Sequence, residues 1–243
     1  MKVLFDGDVI AYRAAAHKVL DPFGGKRDCT ILEALEKVDD IINLTFDNCG
    51  IPFWGPQDYS MYITGKTNFR YKVADDYKGN RKDVQRPEHL PKVREYLLEK
   101  YNAEVSIDEE ADDLISKEAT LLKYDCIIAT VDKDLKQIPC GFYNFMDCTL
   151  TQVSKEDAEF YFWQQVLTGD RVDAIEGLKG VGPKKSEKIL EGTSGNVEYF
   201  NKCLDTYKEH GKTEEDLLKA ARLLWLRRYE GQLVTLEELQ KDT

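Results

Sequence analysis

Residues 126–134, Cys126-Ile127-Ile128-Ala129-Thr130-Val131-Asp132-Lys133-Asp134, decide the fold class of this chain. A short apolar run without polar alternation reads as a strand covered on both faces, the mark of a parallel sheet. Before it, Asp112 to Tyr124 predicts a helix with Leu114, Ile115, Ala119 and Leu122 on one face, and after it Phe142 to Phe145 reads as the next strand. The amino terminus repeats the arrangement: Lys2 to Phe5 as a strand, Asp6 and Asp8 at its end, and a helix from Asp8 to His17. Thr30-x-x-Glu33 has capping-box spacing and opens a helix through Ile31, Leu35, Val38, Ile41, Ile42 and Leu44, which ends near Cys49-Gly50. Tyr59 to Thr64 reads as a second strand, Pro87 and Pro91 frame a helix to about Lys100, and Glu104 to Ile107 reads as a further strand. This alternation predicts an α/β fold with a mostly parallel sheet and flanking helices, whose ligands gather beyond the carboxyl ends of the strands.

The second part of the chain reads as helical. Ser154-x-x-Asp157 caps a helix reaching Leu167, Ser186 to Leu190 continues as a helix, and Thr213-x-x-Asp216 opens a long one with Leu217, Ala220, Ala221, Leu224 and Trp225 inward. The polar tail from Gly231 is expected to be loosely held. The expected division is 1–150 and 151–243, with a basic, aperiodic stretch at 65–87 read as a mobile loop or short helices.

At 243 residues and 42% apolar content the chain can bury a sizeable core. No apolar run approaches the roughly 20 residues of a membrane span. The opening Met1-Lys2-Val3-Leu4-Phe5-Asp6 meets an acidic residue too early for a signal peptide, so the expected compartment is cytoplasmic. The six cysteines have no CxxC spacing and read as free thiols.

Carboxylates cluster at strand and helix junctions: Asp6 and Asp8; Glu109, Glu110, Asp112 and Asp113; Asp132 and Asp134; Asp170 and Asp173. Crowded carboxylates repel, and a hard divalent cation removes that penalty. Oxygen-only donors without His or Cys suit Mg²⁺ or Mn²⁺ rather than zinc. The pattern predicts Mg²⁺-dependent phosphoryl transfer. Each cluster also has a plainer reading. Asp6-Gly7-Asp8 and Asp132-Lys133-Asp134 are equally turns with helix caps, and acids at 109–113 suit a helix start. The pair Asp6-Gly7-Asp8 after a strand also fits a dehalogenase-type phosphatase with a nucleophilic aspartate.

A net charge of −11 argues at first against nucleic acid. Cations nevertheless crowd two stretches: Lys66, Arg70, Lys72, Lys78, Arg81, Lys82 and Arg86, then Lys179, Lys184, Lys185 and Lys188. Local patches of this kind contact phosphates whatever the total charge. Tyr77-Lys78-Gly79-Asn80-Arg81 offers an aromatic face beside two cations, and a solvated basic loop would look the same. Gly177 to Lys185 combines tight turns with a helix start near Pro183, where backbone N–H groups bind a phosphate; an ordinary Gly-rich loop is the alternative.

In order, DGD, YKGNR, EADD, DKD, GDRVD and GLKGVGPKK resemble the flap endonuclease and 5′-3′ exonuclease superfamily, most of all its bacteriophage exonuclease branch. The match runs from about Val3 to Leu190. The resemblance implies a PIN-like core, an arch over the site, and a helix-three-turn-helix element at about 173–192. It gives Asp6, Glu110, Asp112 and Asp132 to a first metal group and Asp134, Asp170 and Asp173 to a second, with Asp113 between them. Lys78 and Arg81 match the cations that meet the scissile phosphate, with Tyr77 beside them. Lys179, Gly180, Gly182, Lys184 and Lys185 match the DNA-gripping hairpin, and the main chain of Gly177, Leu178 and Val181 a K⁺ site. Glu109 and Asp8 have no firm counterpart. An Asp usual after the second strand is missing, and Gly65 stands near its place.

The expected activity is therefore two-metal 5′-to-3′ hydrolysis of DNA, exonucleolytic and flap-specific, on duplexes with a free 5′ end, a nick or a flap, extending to RNA/DNA hybrid. The protein would be a monomer acting in replication or degradation, in the host cytoplasm if phage-encoded. A non-catalytic DNA-binding replication factor and a phosphatase are the alternatives.

Overall fold

The computed structural model describes residues 1–81 and 85–241. Lys82 and the 82–84 part of the expected arch lie outside the described residues. In chain order the elements are β1 (Lys2–Asp6), α1 (Gly7–Ala16), β2 (Lys18–Leu20), β3 (Lys26–Asp28), α2 (Ile31–Asn48), β4 (Tyr59–Ile63), α3 (Arg70–Val73), α4 (Leu90–Tyr101), β5 (Glu104–Val105), α5 (Ala111–Leu121), β6 (Cys126–Ala129), β7 (Gly141–Asn144) and β8 (Thr149–Gln152). There follow α6 (Lys155–Thr168), β9 (Gly169–Asp170), β10 (Ile175–Glu176), α7 (Pro183–Leu190), α8 (Asn196–Glu209), α9 (Glu214–Leu224) and α10 (Leu236–Leu239).

The chain divides into two compact units: residues 1–67, 85–135 and 140–152, and residues 68–84, 136–139 and 153–243. The first unit holds a six-stranded sheet in the order β5-β4-β1-β6-β7-β8. It is parallel except for β8, which pairs antiparallel with β7 at the edge. The mostly parallel sheet follows the apolar runs read from the sequence; Val3, Leu4, Phe5, Ile127, Ile128 and Ala129 are buried. Successive strands build outward from β1 through β4 to β5, then the chain returns to place β6 on the other side of β1. The carboxyl end of β1 is thus the switch point of the sheet, where ligand crevices form. The capping box expected at Thr30 forms: Thr30 N–H donates to Glu33 Oε2 at 2.7 Å, and α2 packs Val38, Ile42 and Phe46 into the core.

The second unit is helical, with Trp163, Phe200, Cys203 and Leu217 at its centre. The sequence reading assigned 65–87 to the nuclease core; here residues 68–81 join the helical unit. The physical reason is Arg70. This side chain is buried, and its Nε and Nη2 donate to the carbonyls of Leu223 and Trp225 at 2.8 and 2.9 Å. Those carbonyls end α9 and have no helical partner, so a buried guanidinium satisfies them. Arg70 is consequently structural, not one of the cations open to a phosphate. The tail is also better held than its composition suggests. Val234 and Leu239 are buried, and Asn196 Nδ2 donates to the Leu239 carbonyl at 2.8 Å. No helix among the described residues is long and apolar enough to cross a membrane.

Candidate active site

At the end of β1, Asp6 is both helix cap and buried acid. Its Oδ1 accepts the Val9 N–H at 3.1 Å, and its Oδ2 accepts the Thr130 hydroxyl at 2.7 Å. Thr130 stands just past β6 and also accepts the Asp132 N–H at 2.9 Å, while Asp132 Oδ1 accepts the Asp134 N–H at 2.9 Å. A single chain of hydrogen bonds therefore links Asp6, Thr130, Asp132 and Asp134. The cap reading of Asp6 and the turn reading of Asp132 both hold. Burial, then the nearby charge of Asp8, push the Asp6 carboxyl up to about 7; the bonds from Thr130 and Val9 pull the other way, and Asp132 adds to the rise. A buried acid crowded by like charges is the electrostatic setting that a cation relieves.

Asp8 faces a different set of partners. Its Oδ2 accepts the Thr64 N–H at 2.8 Å and its Oδ1 pairs with Arg94, which also donates to the Thr64 carbonyl at 2.6 Å. Thr64 Oγ1 accepts the Ala111 N–H at 3.0 Å, tying the end of β4 to the start of α5. Thr64, Arg94 and Thr130 were not singled out in the sequence. The one available signal is that Thr64 and Thr130 each directly follow an apolar run.

Of the acids around α5, Glu110 is buried and Asp112 half-buried. Asp113 is fully buried, and its Oδ2 accepts the Glu110 N–H at 3.0 Å, so it caps this helix. Glu109 is buried and pairs with Lys117 at 2.5 Å. Gly65 explains why no carboxylate follows β4. A Cβ there would lie 2.1 Å from the Ser106 carbonyl oxygen, and the Gly65 N–H donates to Ser106 Oγ at 3.0 Å. Ser106 in turn donates to the Glu109 carbonyl at 2.6 Å, so the two turns are locked together.

In the helical unit, Asp170 Oδ1 accepts the Val172 N–H at 2.7 Å. Asp173 is buried and gathers the cations: Lys78 Nζ lies 3.3 Å from Oδ2, and Arg81 pairs with Oδ1. Tyr77 does not present the open face expected of it. It is buried against Tyr71, and its hydroxyl donates to Asp173 Oδ2 at 3.0 Å. The hairpin is ordered by a close backbone crossing: a Cβ on Gly177 would lie 2.1 Å from the Thr168 carbonyl. Leu178 and Val181 are buried; Leu178 N–H donates to the Leu167 carbonyl at 2.9 Å, and the Leu178 carbonyl accepts the Val181 N–H at 3.0 Å. That anchoring leaves Lys179, Gly180, Gly182, Lys184 and Lys185 exposed around the start of α7.

No family model matches the chain. DNA polymerase I of Lactococcus lactis is 30% identical over 188 residues, covering 68% of this chain and 21% of the relative. Flap endonuclease Xni of Shewanella halifaxensis is 27% identical over 64% of this chain and 68% of its own length. Against the DNA polymerase I relatives, the chain spans about a fifth of their length. The flap endonuclease of bacteriophage T5, solved in complex with DNA and metal ions, superposes with a TM-score of 0.63 at 14% identity, covering 91% of this chain and 88% of that one. Sequence relatives and fold agree: the chain is similar in sequence to flap endonuclease Xni and DNA polymerase I, and in fold to the bacteriophage T5 flap endonuclease.

Proposed function

We propose that this protein is a metal-dependent 5′ nuclease that hydrolyses DNA phosphodiester bonds, as a 5′-to-3′ exonuclease and on 5′ flaps. The observation that carries the reading is the convergence of Asp6 and Asp132 on Thr130 at the switch point of the parallel sheet. The donors are oxygens alone, among the described residues no Lys or Arg pairs with Asp6, and both facts fit Mg²⁺ or Mn²⁺. Asp6, Glu110, Asp112 and Asp132 would hold a first ion; the resemblance gives Asp134, Asp170 and Asp173 to a second. When bound, such ions activate a water and stabilise the attacking and leaving oxygens of an in-line displacement.

The protein's own groups have separable tasks. Thr130 fixes the Asp6 carboxylate and the turn that presents Asp132, so the ligand oxygens are set before any ion arrives. Lys78 and Arg81 neutralise charge on the phosphate under attack. Lys179, Lys184 and Lys185, with the N–H groups at the start of α7, hold duplex phosphates without reading bases. The main chain of Gly177, Leu178 and Val181 is the place for K⁺ in this reading.

Cleavage of 5′-labelled and 3′-labelled duplex, nicked and flap DNA, with Mg²⁺ and with EDTA, tests the proposal. Mg²⁺-dependent products released from the 5′ side are expected. Binding without cleavage would favour the non-catalytic replication factor, and a phosphorylated Asp6 would favour the phosphatase.

A further inference from the structure

Asp173 receives more donors than a metal ligand needs. Arg81 Nη2 pairs with one carboxylate oxygen, while Lys78 Nζ at 3.3 Å and the Tyr77 hydroxyl at 3.0 Å meet the other. The main chains are clamped as well. Lys78 N–H donates to the Asp173 carbonyl at 2.9 Å, Asn80 Nδ2 to the Arg171 carbonyl at 2.8 Å, and Arg81 Nε to the Val172 carbonyl at 3.2 Å. Lys78 holds a left-handed φ of 53°, a conformation a lysine keeps only when its surroundings fix it. Two cations and a phenol thus converge on one carboxylate within a single unit.

A carboxylate and a phosphate offer the same pair of anionic oxygens to a guanidinium and an ammonium. We propose that Asp173 is a positioning residue: it occupies, in cis, the anion subsite formed by Tyr77, Lys78 and Arg81, and a substrate phosphate takes its place there. A divalent cation that draws the Asp173 carboxylate to itself drives the exchange. The cations are then oriented before DNA arrives, which lowers the entropy cost of positioning them in the reaction. They also remain matched to an anion until metal is present, so metal-free protein grips a 5′ terminus weakly. No covalent bond changes in this exchange. The identity of the phosphate and of the ion rests on the nuclease reading.

Two measurements without turnover test it. Titration of Mn²⁺ into DNA-free protein is followed by calorimetry for wild type and for Lys78→Ala/Arg81→Ala. The variant is expected to bind the ion about tenfold more tightly, because the ion no longer competes with two cations. Lys184→Ala/Lys185→Ala removes the same charge and is expected to leave ion affinity unchanged. Equal ion affinities in wild type and Lys78→Ala/Arg81→Ala, or equal gains in both double variants, would overturn the proposal. The second arm measures 5′-flap DNA affinity in EDTA. Asp173→Asn is expected to bind about tenfold more tightly, with the gain abolished when Lys78→Ala and Arg81→Ala are added. A gain that survives those substitutions is general relief of repulsion and also overturns the proposal. The first arm keeps Asp173 intact, so it reports even where Asp173→Asn folds poorly. Failure of wild type to cleave any DNA with Mg²⁺ would remove the nuclease reading while leaving the ion-competition result standing.

Discussion

Thr130 donates its hydroxyl to Asp6 Oδ2 at 2.7 Å, a bond that joins the ends of two adjacent parallel strands and fixes a buried acid of the site. The bond favours the charged form of Asp6, yet burial and Asp8 outweigh it. With the folded value raised from 3.8 to about 7, Asp6 contributes stability that is complete below pH 3.8 and lost as pH rises through about 7.

Asp6→Asn is therefore expected to raise the Tm of metal-free protein at pH 8 by several degrees, since the amide oxygen keeps the bond from Val9 N–H, its NH₂ group donates to Thr130 Oγ1 in a reversed bond, and the buried charge is gone. The advantage should shrink as the pH falls toward 4. Mg²⁺ should reverse the ranking at pH 8 by stabilising wild type more than the variant. Thermal melts in EDTA and in Mg²⁺ across this range check all three expectations, and a variant less stable than wild type at pH 8 in EDTA would contradict them.

Lys78→Ala is expected to lose on the order of 10²-fold or more in single-turnover rate, the usual cost of removing one preorganised transition-state contact. Affinity for duplex without a 5′ terminus should change little, because in the proposed reading Lys179, Lys184 and Lys185 hold the duplex. Rapid-quench kinetics at saturating protein, beside equilibrium binding with Ca²⁺, separate the two effects. An unchanged rate would return this motif to the status of a surface loop.

Lys184→Ala/Lys185→Ala should show the reverse pattern. Both side chains are exposed at the first turn of α7, following Pro183. Losing two phosphate contacts should make the slope of log K against log salt shallower by about 2, equally for unrelated sequences. Binding measured from low to moderate salt on two duplex sequences checks this. Saturating single-turnover rates should fall far less than in Lys78→Ala.

Gly65→Asp supplies the carboxylate that superfamily relatives carry near this point, but it should not improve the site. Its Cβ would press on the Ser106 carbonyl at 2.1 Å, and the Ser106 side chain is itself bonded to the Glu109 carbonyl. The expected cost is about 1–3 kcal/mol of stability, with Gly65→Ala nearly as damaging. Urea midpoints report the loss, and metal titration should show no gain in affinity. A stable Gly65→Asp protein that binds Mn²⁺ more tightly would mean that this turn rearranges readily.

The sheet was legible in the sequence because each buried strand is a short apolar run closed by a polar junction, and covering both faces of a parallel strand requires that pattern. Runs such as Val3-Leu4-Phe5 and Cys126-Ile127-Ile128-Ala129 therefore gave strand positions, and the caps at Thr30, Ser154 and Thr213 gave helix starts, because both signals are local. The carboxylates, too, could be listed from their spacing. What each one touches could not. Asp113 turns inward to cap its own helix, Asp8 is held by Arg94 from a helix more than eighty residues later, and Asp173 collects Tyr77, Lys78 and Arg81 from a distant stretch. The basic run at 65–87 looked uniformly solvated, but Arg70 is buried because the end of α9 needs donors for its carbonyls. Composition and period follow from which residues must leave water. Partners are chosen only when the chain closes on itself, by which polar groups burial would otherwise leave unsatisfied.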